Sequence, residues 1–139
     1  MKLQESGEMY LKTILRLSLQ QSSVHSIDIS EFMGFSKPSV SRAVSILKES
    51  GYIDIHEDKS ITLTKSGKET ATRLYERQVV LSYLLRKMGV DEDNAYEDAC
   101  RMEHVISDES FAHIKEYLGI SDEDIVLSAD PKTGLLKDI

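Results

Sequence analysis

Apolar positions recur along this chain at two periods, and the switches between them mark its elements. Across residues 6–20, Leu11, Ile14, Leu15 and Ser18 follow the i, i+3, i+4, i+7 spacing of a helix begun near Glu5 or Ser6. Met9 lies near the start of that helix, where periodicity alone makes it a core thioether. A short helix is predicted from Ser26, capped at Ser26 or Asp28 and stopped by Gly34. Ser36 then caps a second helix with Pro38 in its first turn and Gly51 just past its end. Val40, Val44 and Leu47 form its inner stripe, with Ala43 and Ile46 beside them, while Ser36, Lys37, Ser39, Ser41, Arg42 and Lys48 point outward. The period then drops to two: residues 52–56 alternate as a strand, 57–60 read as a turn, and 61–63 return as a second strand.

Thr64-Lys-Ser-Gly67 then begins the next helix. A long helix is predicted over 69–88, with Ala71, Leu74, Leu81, Leu84 and Leu85 as apolar positions and Gly89 at its end. Its length exceeds what one small core requires, so it reads as the connection to a second helical unit. Further helices are expected over 91–107 and from Asp108 to Leu118, with a short last one opening at Ser121. The stretch 129–139 has turn residues without strong periodicity.

The pattern predicts a mainly α chain with a small β-wing. Two helices joined at Gly34, the second exposing small polar and basic residues, form a helix-turn-helix pattern, and a hairpin directly after it is a wing. Small hydroxyls let a helix backbone sit deep in the major groove, so Ser36, Lys37, Pro38, Ser39, Ser41 and Arg42 are the candidate DNA-facing residues. Lys59 at the wing tip is placed to meet phosphate. An ordinary helical hairpin with a solvated serine face and an exposed turn lysine satisfies the same spacing.

One stretch in the second half carries candidate chemistry. If residues 91–107 are helical, Cys100, Glu103 and His104 share one side of the helix, while Ala95, Ala99, Met102, Val105 and Ile106 cluster on another arc for packing. Thiolate, carboxylate and imidazole together suit a divalent transition metal such as iron, cobalt, nickel or zinc. A partly buried cysteine beside an exposed glutamate and histidine fits the trio equally well.

Composition narrows these readings. The 139 residues are 40% hydrophobic and 29% charged, ordinary for a soluble globular chain. No apolar run is long enough to cross a bilayer and the start is no signal peptide, so the expected location is the cytoplasm. A single cysteine excludes an internal disulfide. The net charge of −7 argues against nucleic acid only until its distribution is seen. Residues 1–63 carry 7 Lys and Arg against 8 Asp and Glu, while residues 64–139 carry 10 against 16, giving −1 and −6. The acidity belongs to the second half, and phosphate binding needs only a local basic face.

With both signals located, the chain resembles the diphtheria-toxin-repressor (iron-dependent repressor) family of metal-dependent transcription regulators. The resemblance covers nearly all of residues 4–118. It is most specific at residues 8–14 (Glu-Met-Tyr-Leu-Lys-Thr-Ile), at the helix-turn-helix and wing, and at residues 99–105 with Ser107-Asp108-Glu109. It implies a winged helix-turn-helix DNA-binding domain over 1–73 and a helical metal-binding and dimerisation domain over 74–139, acting as a homodimer on operator DNA. It further implies Met9, Cys100, Glu103 and His104 as metal ligands, which replaces the core reading of Met9. The family's manganese sensors use Asp, Glu and Glu where Met9, Lys12 and Cys100 stand, so ferrous iron is the expected ion, ahead of manganese, cobalt, nickel or zinc. Gln78, Ser82 and Tyr96 fall where the iron branch has an ancillary site of His, Glu and His, and that second site is expected to be absent or weak. Arg42 stands where the best-known iron repressor has a Gln, so base preference is expected to differ. An SH3-like third domain would not fit within this length.

The implied function is metal-dependent repression of metal-uptake genes. The alternatives are a winged-helix regulator that no longer answers to metal, and a manganese-responsive one. An enzyme reading, with Cys100 as nucleophile and His104 as base, finds no oxyanion-hole loop or phosphate-cradling glycine motif to accompany it. A metal buffer without DNA function leaves the helix-turn-helix and wing unexplained.

Overall fold

Leu11, Ile14, Leu15 and Leu17 turn one face of α1 (Glu5–Gln20) inward, and around that face the first unit is assembled. The structure is a computed structural model and describes residues 4–123. The chain divides at Arg73 and Leu74 into two units. In the first, α1 packs against α2 (Ser26–Met33), α3 (Lys37–Glu49) and β2 (Ile61–Leu63), and α3 packs against β1 (Ile53–Ile55). Val24, Ile29, Val40, Val44, Leu47, Ile53 and Ile61 complete its core, each contributing roughly 1.5–3 kcal/mol by leaving water. The strands pair antiparallel with Asp54 opposite Thr62.

The helix starts show why these residues adopt these turns. Ser36 caps α3 as expected, its Oγ accepting from the Ser39 amide at 3.3 Å. The cap of α2 is neither Ser26 nor Asp28 but His25, and Asp28, three residues on, accepts from the His25 amide at 2.8 Å. This is the reciprocal half of a capping box, with the acid reaching back to the residue before the helix. Gly34 ends α2 at φ +73°, a left-handed conformation that glycine adopts without steric cost. Ile46, expected beside the inner stripe of α3, is 56% exposed.

The long helix α4 (Lys65–Lys87) begins within Thr64-Lys-Ser-Gly67, the stretch expected to open it. Thr64 is the reason: its Oγ1 accepts from the Gly67 amide at 3.2 Å and its hydroxyl donates to the Gly51 carbonyl at 2.7 Å. The Thr64 amide donates to the Tyr52 carbonyl at 3.1 Å. The end of α3, the start of β1 and the start of α4 are thereby tied at one point.

In the second unit α5 (Glu92–Met102) and α6 (Asp108–Leu118) follow the C-terminal part of α4, and Leu74, Tyr75, Val79, Val80, Leu81, Tyr83, Ala95, Ala99 and Ile120 are buried. Asp91 caps α5 and Ser107 caps α6 through their side chains. The helix expected over 91–107 stops at Met102, and Val105, assigned to its packing face, is 80% exposed. Of the helix expected to open at Ser121 only Asp122 and Glu123 fall among the described residues, and the stretch 129–139 lies outside them. No helix among the described residues is long and apolar enough to cross a membrane.

Candidate metal and DNA-binding residues

Cys100 lies in the last turn of α5, Glu103 is its C-cap and His104 follows. The Glu103 amide still donates to Ala99 at 3.0 Å, but those of His104 and Val105 donate to Arg101 and Met102, three residues back, at 3.3 and 3.1 Å. Such bonds tighten the end of a helix. Glu103 thus keeps the helical relation to Cys100, whereas His104 sits in a narrower turn. Glu103 is 1% exposed and the His104 side chain 3%, with Nε2 of the imidazole 3.5 Å from Oε1 of the carboxylate; Cys100 is half-buried.

The structure therefore sets two of the four expected donors side by side. Among the described residues no three or more His, Cys, Asp and Glu side chains are gathered into a metal-holding group. The chemistry of these residues nevertheless fits a divalent transition ion. A carboxylate so shielded from water needs positive charge nearby, and an adjacent imidazole with a thiol one turn earlier is a borderline-to-soft set. Met9 is half-buried in the second turn of α1. At the positions of the ancillary site, Gln78 and Ser82 are fully buried in α4 and Tyr96 is half-buried in α5, with the Ser82 hydroxyl donating to the Val79 carbonyl at 3.1 Å.

On the first unit, Ser36, Lys37, Pro38, Ser41 and Arg42 are exposed along the first turns of α3, and Ser39 is half-buried. Phe35 and Phe32 are exposed beside them, with Phe35 6.1 Å from the Tyr10 ring and Phe32 covering the Arg16 guanidinium at 5.2 Å. Burial pushes the Tyr10 hydroxyl above its ordinary pKa, and the positive charge of Arg42 opposes that rise.

Lys59, at the wing tip, adopts φ +68°, the sole positive value among described non-glycine residues. The turn is held by Asp58, whose Oδ1 accepts from the Ser60 amide at 3.0 Å and its hydroxyl at 2.6 Å, and these bonds keep the Asp58 carboxyl below the usual range. His25 anchors the wing from the α2 cap, its Nε2 3.2 Å from the Asp58 carbonyl oxygen. Sequence reading missed His25, although an acid three residues after a polar residue is itself a helix-start signal. A side chain other than glycine in the left-handed region costs about 1–2 kcal/mol, so the wing tip holds its charge against strain. Lys59→Gly is expected to cost no thermal stability but to lower the slope of log affinity against log salt by about 1, the signature of one lost phosphate contact. An unchanged slope would mean the ammonium does not meet DNA.

The first unit is a winged helix-turn-helix and the second is all-helical, with a buried carboxylate and imidazole at the end of α5. Residues 2–61 match the family model described as iron dependent repressor, N-terminal DNA binding domain, and residues 64–128 match iron dependent repressor, metal binding and dimerisation domain. The chain belongs to the iron-dependent repressor family, as the motifs at residues 8–14 and 99–105 imply.

It is 30% identical to the HTH-type transcriptional regulator MntR of Bacillus subtilis (strain 168) over 128 residues, 92% of this chain and 90% of the relative. The diphtheria toxin repressor of Corynebacterium diphtheriae is 32% identical over 106 residues, 76% of this chain. The chain spans about half the length of that relative, 47%. Among solved structures, the manganese regulator SloR superposes with a TM-score of 0.73 at 28% identity, covering 83% of this chain and 54% of that one.

Proposed function

We propose that this chain is a metal-dependent DNA-binding transcription regulator, not an enzyme, with residues 1–73 binding operator DNA and residues 74–139 binding metal and forming a homodimer. The observation that carries the reading is the buried Glu103 and His104 pair one turn after Cys100, in a chain whose two halves match DNA-binding and metal-binding models of one family. Met9, Cys100, Glu103 and His104 are the donors, and ferrous iron is the preferred ion because thioether and thiolate are softer than carboxylates. Ser36, Lys37, Pro38, Ser39, Ser41, Arg42 and Lys59 face the DNA, and Gln78, Ser82 and Tyr96 hold no strong second ion. When bound, the ion supplies positive charge to the buried carboxylate. Because it binds the DNA-competent arrangement better than the others, it raises DNA affinity, and DNA raises metal affinity by the same factor. The outcome is repression of metal-uptake genes in the cytoplasm.

Manganese is the second reading, favoured by the match to MntR across nine-tenths of that relative. The deciding experiment is anaerobic titration with ferrous and with manganous ions, following retention of the protein on a promoter fragment. Retention that needs metal, saturates near one ion per chain and appears at lower ferrous than manganous concentration supports the first reading. The reverse order of ions supports the second, and retention indifferent to both overturns the metal-dependent function.

A further inference from the structure

Glu103 is the last residue to keep the helical relation of α5 and His104 lies beyond it, so the helix alone does not fix where the imidazole points relative to the carboxylate. What holds that turn is an arginine from another helix. The Arg77 guanidinium, on α4 and 3% exposed, donates to the Ile106 carbonyl at 2.5 Å and the Glu103 carbonyl at 3.4 Å. It also pairs with the Asp108 carboxylate in the first turn of α6 and lies 5.4 Å from the centre of the Phe111 ring. A planar fork of fixed donors is thus bonded on both sides of His104. Carbonyls at a helix end need donors from elsewhere, and here one side chain supplies them to two carbonyls of the segment that carries the acid and the imidazole.

We propose that Arg77 is a positioning residue for metal binding: it clamps the 103–108 turn so that the Glu103 carboxylate and the His104 imidazole are already oriented before an ion arrives. The inference rests on the proposed metal reading and adds a residue outside the donor set. The Asp108 end of the clamp is open to water, its side chain 88% exposed, so the bonds to the carbonyls carry most of the effect. Lysine keeps the charge and can still reach Asp108, but it cannot bond two carbonyls in a fixed plane.

The test is a cobalt titration of the parent, Arg77→Met and Arg77→Lys, read by visible absorption of the bound ion. Each is measured well below its own metal-free melting temperature. The parent is expected to bind, and both variants to bind roughly 10–100-fold more weakly, the loss typical of removing a partner that orients a ligand. Their ligand-field bands are expected to be altered although the metal-free proteins stay folded. Parent-like affinity and spectrum in either folded variant overturns the clamp while leaving the metal reading intact. A parent that binds no cobalt overturns the metal reading and the clamp with it. Should Arg77→Met fail to fold, Arg77→Lys alone decides.

Discussion

His104→Ala is expected to abolish metal-dependent retention on DNA while leaving a folded protein. The imidazole is almost wholly shielded and stands 3.5 Å from the Glu103 carboxylate, so its loss removes a proposed donor from beside that acid. Metal affinity is expected to fall by more than about 100-fold, beyond the 10–100-fold that loss of an outer partner produces. The fold survives because His104 belongs to a turn past α5, whereas the apolar core of the second unit is built from Leu74, Val79, Val80, Leu81, Ala95 and Ala99. Circular dichroism of the metal-free variant checks the fold, and promoter retention with and without metal checks the function. Metal-dependent retention equal to the parent's would remove His104 from the donor set.

The largest effect on stability is expected from Gly67→Ala. A Cβ at this position would stand 2.0 Å from the Tyr52 carbonyl oxygen and 3.0 Å from its carbon. Neither atom belongs to a side chain that can swing away, and the same oxygen already accepts from the Thr64 amide. Helix propensity alone favours alanine by about 1 kcal/mol, so the two effects have opposite signs. Overpacking costs roughly 1–3 kcal/mol and more where backbone must move, so the steric effect wins. In a unit of this size each kcal/mol shifts the melting temperature by about 4–8 °C, and a fall of at least about 10 °C is expected in thermal unfolding. An unchanged or raised melting temperature would show that the start of α4 moves away from Tyr52 at little cost.

Much of the first unit was legible because its signals are local. The stripe Val40, Val44 and Leu47, the Ser36 cap and the hairpin about residues 57–60 each follow from neighbours in sequence, and each is where periodicity places it. The start of α4 at Thr64-Lys-Ser-Gly67 was legible too, although the contacts that fix it run to Gly51 and Tyr52, more than ten residues away. The end of α5 was not legible. Residues 103–106 contain no glycine or proline to announce a stop, and the donors that complete the turn come from Arg77 on α4. At the candidate site, Cys100, Glu103 and His104 stood out by type and spacing. Met9 did so only through family resemblance, because a methionine at helical spacing looks the same in a core as at a metal. Arg77 carried no signal at all: a buried arginine that bonds carbonyls is indistinguishable in sequence from a solvated one.

The short ladder of the wing also governs how this protein behaves toward other copies of itself. Sheet margins with unused amides and carbonyls are templates on which foreign strands grow into aggregates. Here each strand is three residues long, about 10 Å, and the Ile61 amide at the start of β2 is already taken by the Val24 carbonyl at 2.7 Å. The bond that seats the wing beside α2 therefore also withholds part of its margin from misassembly, so a wing able to reach toward DNA offers little for another chain to extend.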